Sequence, residues 1–302
     1  MRILDAHHHI WIPEQSKPDI GYAWLRDIGS MKPFGDPTAI QRDYEWSEFS
    51  AETQQHELVG SVYLQVDAGI GDPVAEIAWA QRATTLPADK LGLVGFVDFR
   101  KANAESIIEA QRQHPSFRGV RQILSYLNDK PELCFSSEHL LRNDVWRKQF
   151  ALLSEHKLSF DAQLYPEQMA EAAEFFALHP SIAVVVDHCG SPYDQTQKGL
   201  AALQRGLLLM AELPHVQIKL SGFGMFNAHW NAHNTKALID IAVEAFGYER
   251  VMFGSNFPVD KLMTHYDAVV QHVHECIETD GEKALSQVFE TNARAFYQLD
   301  AG

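Results

Sequence analysis

"IAVVVDH", residues 182–188, is apolar without interruption until it ends in Asp187 and His188. A strand with one wet face alternates apolar and polar residues. A run with no polar member reads as a strand covered on both faces, the habit of parallel sheets. Seven other short runs are apolar-rich and near-continuous, though broken by polar residues: "RILDAH" (2–7), "GSVYLQV" (60–66), "LGLVGFVD" (91–98), "RGVRQIL" (118–124), "LSFDAQL" (158–164), "VQIKLSG" (216–222) and "RVMFGSN" (250–256). Amphipathic stretches lie between most of them. "DPVAEIAWAQRATTL" opens with Asp72 as an N-cap and Pro73 at the first helical position. "NDVWRKQFALLSEH" and "PEQMAEAAEFFALH" space their apolar residues by three and four. "TKALIDIAVEAFG" ends at Gly247, a helix stop, and "KALSQVFETNARAFYQL" reads as the closing helix. Eight strand–helix units in 302 residues predict one α/β domain over 1–302, a (β/α)8 TIM barrel with a long loop insertion after strand 1. The alternative is an open doubly wound sheet, but no glycine-rich dinucleotide fingerprint follows the first strand.

The net charge of −15 argues against non-specific binding to nucleic acid or to an anionic membrane, while local arginines can still hold an anionic small molecule. The expected partner is therefore a small-molecule substrate. Association of identical copies is left open. Cys134, Cys189 and Cys276 are too few and too scattered for a disulfide framework or a cysteine-rich zinc site. No run approaches the ~18 apolar residues of a membrane span. Asp5 and three histidines stand where a signal peptide would need an apolar run, so a cytoplasmic location is expected.

Reactive groups of such barrels sit at the C-terminal ends of the strands. Here those ends carry His7, His8 and His9; Gln65 and Asp67; Asp98 and Arg100; Arg121 and Gln122; Asp161 and Gln163; Asp187 and His188; Lys219 and Ser221; and Ser255 and Asn256, followed by Asp260 and Lys261. Polar groups closing so many apolar runs are the strongest functional signal in the chain. Side chains at i and i+2 share a strand face. Asp5, His7 and His9 are therefore expected to face the barrel axis, and His8 to pack between strand and helix. His188 is the natural third partner. Three imidazoles suit a divalent metal such as zinc with an open position for water. The same histidines without metal can polarise a carbonyl and shuttle protons. Arg121 and Lys219 are expected to hold the anionic or hydroxylated part of a substrate, Arg121 as a bidentate fork. The competing role for each is a salt bridge inside the barrel. Asp187 alternates away from His188 and is expected to support its surroundings. Residues 13–57 form the long insertion, with Tyr22, Trp24, Phe34, Tyr44 and Trp46 in it. Long ordered loops are often lids, and a packed excursion over the rim is the other reading.

"DAHHHIW", "GFVD", "RGVRQ", "VVVDHCG", "IKLSG" and "MFGSNFPVDKL" together resemble the amidohydrolase superfamily, most closely the amidohydrolase-2 branch of sugar and dicarboxylate lactonases. The resemblance runs from Leu4 to about Leu262. It implies a TIM barrel with its site at the strand ends, and metal on the first-strand pair His7 and His9, joined by His188. The family's last strand usually ends in an aspartate that binds metal and serves as base. Here Asn256 stands in that place, a neutral, poorer ligand that takes no proton at pH 7. Gln163 stands where a further metal-binding histidine is usual. The resemblance thus implies one metal on His7, His9 and His188, or metal-free catalysis. The base passes to His188, a first-strand histidine or Asp260, with a histidine favoured. Asn256 is left to orient water or to donate a hydrogen bond to a substrate oxygen. The implied activity is a lactonase of carbohydrate catabolism: hydrolysis of a lactone of a sugar acid or carboxylated catabolite by water attack on the carbonyl, with Gln65, Gln163 and Trp24 among the substrate contacts. Without the usual aspartate, a lactone isomerase or decarboxylase is the alternative, and a binding protein without catalysis a third.

Overall fold

The computed structural model describes residues 1–13, 21–66, 70–227 and 231–300. Eight parallel strands follow one another in sequence order: β1 (Arg2–His8), β2 (Glu57–Leu64), β3 (Leu91–Phe96), β4 (Phe117–Arg121), β5 (Ser159–Ala162), β6 (Val184–Val186), β7 (Val216–Leu220) and β8 (Val251–Phe253). The two ends of the sheet meet just past β1 and β8. There His9 N donates to Phe257 O and Asn256 N to His7 O, each at 2.7 Å. With helices between the strands, this is the expected (β/α)8 barrel. Among the described residues, no helix is long and apolar enough to cross a membrane.

Alternation along the strands sorts the core into two layers. Val184 and Val186, like Ile218 and Leu220, face outward to the helices. Val62, Leu64, Val94, Val185 and Met252 fill the barrel, where Phe296, Tyr297 and Leu299 of the chain's last segment join them. The Asp72 cap forms as expected, accepting from Val74 N and Ala75 N at 2.9 Å, and the helix Ala232–Phe246 stops at Gly247 with φ +66°. Two expected helices are interrupted. Residues 144–156 break into Asp144–Gln149 and Leu152–His156. A π-turn at Gln287–Thr291 divides the last one.

One irregularity in β1 sets the phase of the site. Between Asp5 and His8 that strand advances three residues while β2 advances two, from Ser61 to Tyr63. Leu4 and Ala6 point inward with the barrel filling. Regular alternation from them would turn His8 inward. The extra residue of the bulge turns His7 inward instead, because bulges re-aim side chains. His8 stacks outside on Phe49, ring centroids 4.2 Å apart, and its Nε2 meets Ser61 Oγ at 3.1 Å. The expected split of His7 from His8 therefore holds, but Asp5 does not share the face of His7. It points outward, accepting from Tyr266 OH at 3.2 Å and from Ser255 N at 2.9 Å, and burial lifts its carboxyl to about 6.

Candidate active site

Four charged side chains meet on the barrel axis, from β4, β5, β7 and the end of β6. Lys219 forms a tight ion pair with Asp161 and lies 3.1 Å from Asp187. Arg121 stands 3.7 Å from the other oxygen of Asp187. Tyr297 reaches up from the barrel floor and donates to Asp161 at 2.6 Å. Two carboxylates thus face two cations, and all four groups are buried. Burial works against the charge of Asp187, but Lys219 and His7 outweigh it and hold its carboxyl well below the usual range. Burial and repulsion from Asp187 push Asp161 up, against the pull of Lys219. Lys219 was expected to grip substrate. The structure corrects this: its ammonium is committed below the cavity to Asp161 and Asp187, with His7 Nδ1 3.3 Å away.

His7 and His188 sit beside this charge centre, ring centroids 4.4 Å apart. Two glycines let them approach. A Cβ on Gly254 would come within 2.6 Å of His7 Cβ, and one on Gly222 within 2.6 Å of His188 Nδ1. This gives a physical reason for the glycines of "FGSN" and "LSG". His188 lies just past β6 with φ +55°, so it leaves the alternation of its strand. Asp187 was expected to turn away from it, yet both reach the same place. One donor atom each from His7, Asp187 and His188 lies within 4.8 Å of the others. His9, expected to pair with His7 as a ligand, falls outside that group. Its ring centroid is 5.2 Å from that of His7, and its Nδ1 is held 2.8 Å from Leu64 O. Two imidazoles and a carboxylate fit a divalent cation of the zinc class. His7 Nε2 is buried without a hydrogen-bond partner. Burial keeps both imidazoles neutral, with His188 down to about 3, as ligation requires.

Above them opens a cavity of about 250 Å³. His9, Arg121, Gln163, His188 and Asn256 supply its polar lining; Trp11, Trp24, Phe34 and Phe135 supply aromatic walls. The described residues of the insertion after β1 divide between the cavity wall and the core. Trp24, Lys32, Pro33 and Phe34 line the cavity, while Tyr44 and Trp46 are buried in the outer core. Arg121 is fixed by donating to Gln65 O at 2.5 Å and to Gln163 Oε1 at 3.5 Å. Gln65 was expected at the substrate. The structure uses its backbone carbonyl to hold Arg121, and its side chain is not among the described residues that line the cavity. Other strand-end groups hold the scaffold: Asp98 pairs with Arg100 at 2.8 Å, Gln122 accepts from Trp146 at 2.8 Å, and Lys261 pairs with Glu48 and Glu52. Asp67 lies outside the described residues. Sequence reasoning missed Trp11 and Phe135. Trp11, two residues past His9, carried a signal in the i, i+2 spacing. Phe135 sits in the β4–β5 connection and carried none.

The family model for amidohydrolases matches residues 4–299, and the chain belongs to that family, in its amidohydrolase-2 branch. It is accordingly an enzyme, with hydrolase or lactonase-like activity. An uncharacterised protein of Sinorhizobium fredii, y4mH, is 32% identical over 297 residues, covering 98% of this chain and 98% of its own. An L-fucono-1,5-lactonase of Burkholderia ambifaria is 26% identical, across 98% of this chain and 96% of its own. A crystal structure of an amidohydrolase from Burkholderia multivorans with bound zinc shares the fold, with a TM-score of 0.81 and 24% identity over 99% of this chain and 100% of that one.

Proposed function

We propose that the protein hydrolyses a lactone of a sugar acid or of a carboxylated catabolite, with one divalent metal such as zinc at His7, Asp187 and His188. The observation that carries this reading is the junction of two features: a cavity the size of one small ring, and the His7–Asp187–His188 group at its base. The lactonase name of the Burkholderia ambifaria relative supports the reaction class, and the zinc in the Burkholderia multivorans structure supports the metal. A cation bound there supplies Lewis acidity toward the ester carbonyl and acidifies a water.

The chain's own groups do the rest. Arg121 lines the cavity and offers an N–H not taken by Gln65 or Gln163 to the carbonyl or a neighbouring anionic oxygen. Asp187, kept ionised by Lys219, is the carboxylate available to take the proton of the attacking water. That assignment replaces the histidine base expected from sequence: a neutral imidazole that ligates a cation has no second lone pair to take a proton, whereas a carboxylate that ligates through one oxygen keeps the other. The aromatic walls exclude bulk water, which strengthens every charge interaction inside. The test is a panel of sugar-acid and dicarboxylate lactones, read as acid release by protein with and without added zinc. Acid release that disappears in His7→Ala and Asp187→Asn is the expected result. Silence of folded, zinc-supplemented protein across the panel would sink the reading.

A further inference from the structure

We propose that Asn256 is a hydrogen-bond acceptor for a ligand hydroxyl, turned to that role by Asp260, and that it selects lactones bearing free hydroxyls. The inference rests on the lactonase reading of the same cavity and narrows its substrate class. It also reverses the expected role of Asn256, which was to orient water or to donate.

The geometry begins with the backbone. Asn256 sits at φ +56°, a left-handed conformation that asparagine tolerates better than most residues. Its N–H is anchored on His7 O at 2.7 Å. Its amide nitrogen donates to Asp260 Oδ1 at 3.2 Å, and Asp260 N returns a bond to Asn256 O at 3.2 Å. Backbone N–H groups of Phe223 and Gly224 also hold the Asp260 carboxylate. That carboxylate is buried and does not line the cavity, whereas Asn256 does. With the nitrogen turned toward Asp260, the carbonyl oxygen Oδ1 of Asn256 is left for the cavity. Burial lifts the Asp260 carboxyl to about 7. A proton there belongs on Oδ2, which has no partner, so Oδ1 stays an acceptor and Asn256 keeps its orientation.

A second acceptor opens into the same space. His9 Nδ1 lies 2.8 Å from the carbonyl of Leu64, which only accepts, so Nδ1 carries the proton, and in that tautomer Nε2 bears the lone pair. Donors come from Arg121, and from the amide nitrogen of Gln163, whose oxygen accepts from Arg121. A hydroxylated ring satisfies both sets: its hydroxyls give to Asn256 and His9, and its carbonyl takes from Arg121 and Gln163. A ring carrying only carboxylates would set acceptor against acceptor, at the full cost of an unpaired buried group.

The experiment compares the 1,5-lactones of hexonic acids with δ-valerolactone, the same ring without hydroxyls, read as acid release. Asn256→Gly removes the amide without straining the backbone. It should lower kcat/KM on the hydroxylated lactones roughly ten- to hundredfold, the range of one lost hydrogen bond to a buried group, and lower it by a clearly smaller factor on δ-valerolactone. Asp260→Ala should raise KM for the hydroxylated lactones with kcat largely kept. Asp260→Asn, whose carbonyl can accept from Asn256, should restore the wild-type value. Equal losses on both kinds of ring, or no wild-type preference for hydroxyls, overturn the proposal. If wild-type protein hydrolyses neither, the lactonase reading fails, and calorimetric binding of hexonates against 5-hydroxypentanoate decides this one. Tighter binding of hexonates that Asn256→Gly abolishes upholds it. Binding that is equal, absent or unaffected overturns it.

Discussion

Two polar layers share the barrel and are built on opposite plans. In the lower one Asp161 and Asp187 meet Lys219 and Arg121, and Tyr297 closes the set from below. Every charge there faces its opposite, and Lys219 and both carboxylates are fully buried. In the upper one His9, Gln163, His188 and Asn256 are neutral. Each is tethered on one side, to Leu64 O, Arg121, Ser221 and Asp260, and lines the cavity with the other. The lower layer answers its own charges and sets the electrostatics of the site. The upper layer keeps bonding capacity for a ligand. A polar residue at a strand end becomes a substrate contact only when its neighbours leave one of its atoms unmet.

Breaking the lower layer should have the largest effect. Lys219→Met strands two buried carboxylates and should cost about 3–5 kcal/mol of stability in denaturant unfolding. A loss under about 1 kcal/mol, as for an exposed pair, would show that the four charges are not a unit. The border between the layers is tested by metal content. His7→Ala and Asp187→Asn should weaken zinc binding at least ~100-fold, beyond the usual effect of a residue that only supports a ligand, while His9→Ala leaves it unchanged. Zinc lost equally from His9→Ala would return that histidine to the ligand set. His8 sharpens the contrast with its neighbour. His8→Ala should cost about 1–2 kcal/mol through lost packing on Phe49, with kcat intact in steady-state assays. The smallest change belongs to the rim. Trp24→Phe loses the 3.2 Å bond to Val66 O and part of the edge contact with Trp11 and Phe34, and a KM shift of about fivefold, near 1 kcal/mol, is expected with kcat unchanged.

Much of this was legible before any coordinates. All eight strands fall on the apolar runs, because a strand buried on both faces leaves that mark in composition. His7 and His188, Arg121, Gln163, Trp24 and Asn256 were singled out by place alone, and the structure brings them to one end of one barrel. The misplacements have local physical causes. Asp5 was put on the wrong face because a bulge changes the phase within three residues, and period-two reasoning has no term for it. Asp187 was separated from His188 because alternation stops where the backbone turns left-handed. Lys219 was offered to the substrate because its partner Asp161 is 58 residues away in the chain.

The sequence by itself determined the barrel, the end of it that carries the chemistry, and the stock of polar groups found there. These follow from burial and from strand and helix period, which act within a few residues. The tertiary structure alone decided how that stock divides: Lys219 closed in among carboxylates, Asp187 joined to the two histidines, and the amide of Asn256 turned by Asp260. Those outcomes depend on which lone pairs and protons meet across different strands. Hydrogen bonds and ion pairs are made or lost over tenths of an ångström, a scale that only the packed barrel sets.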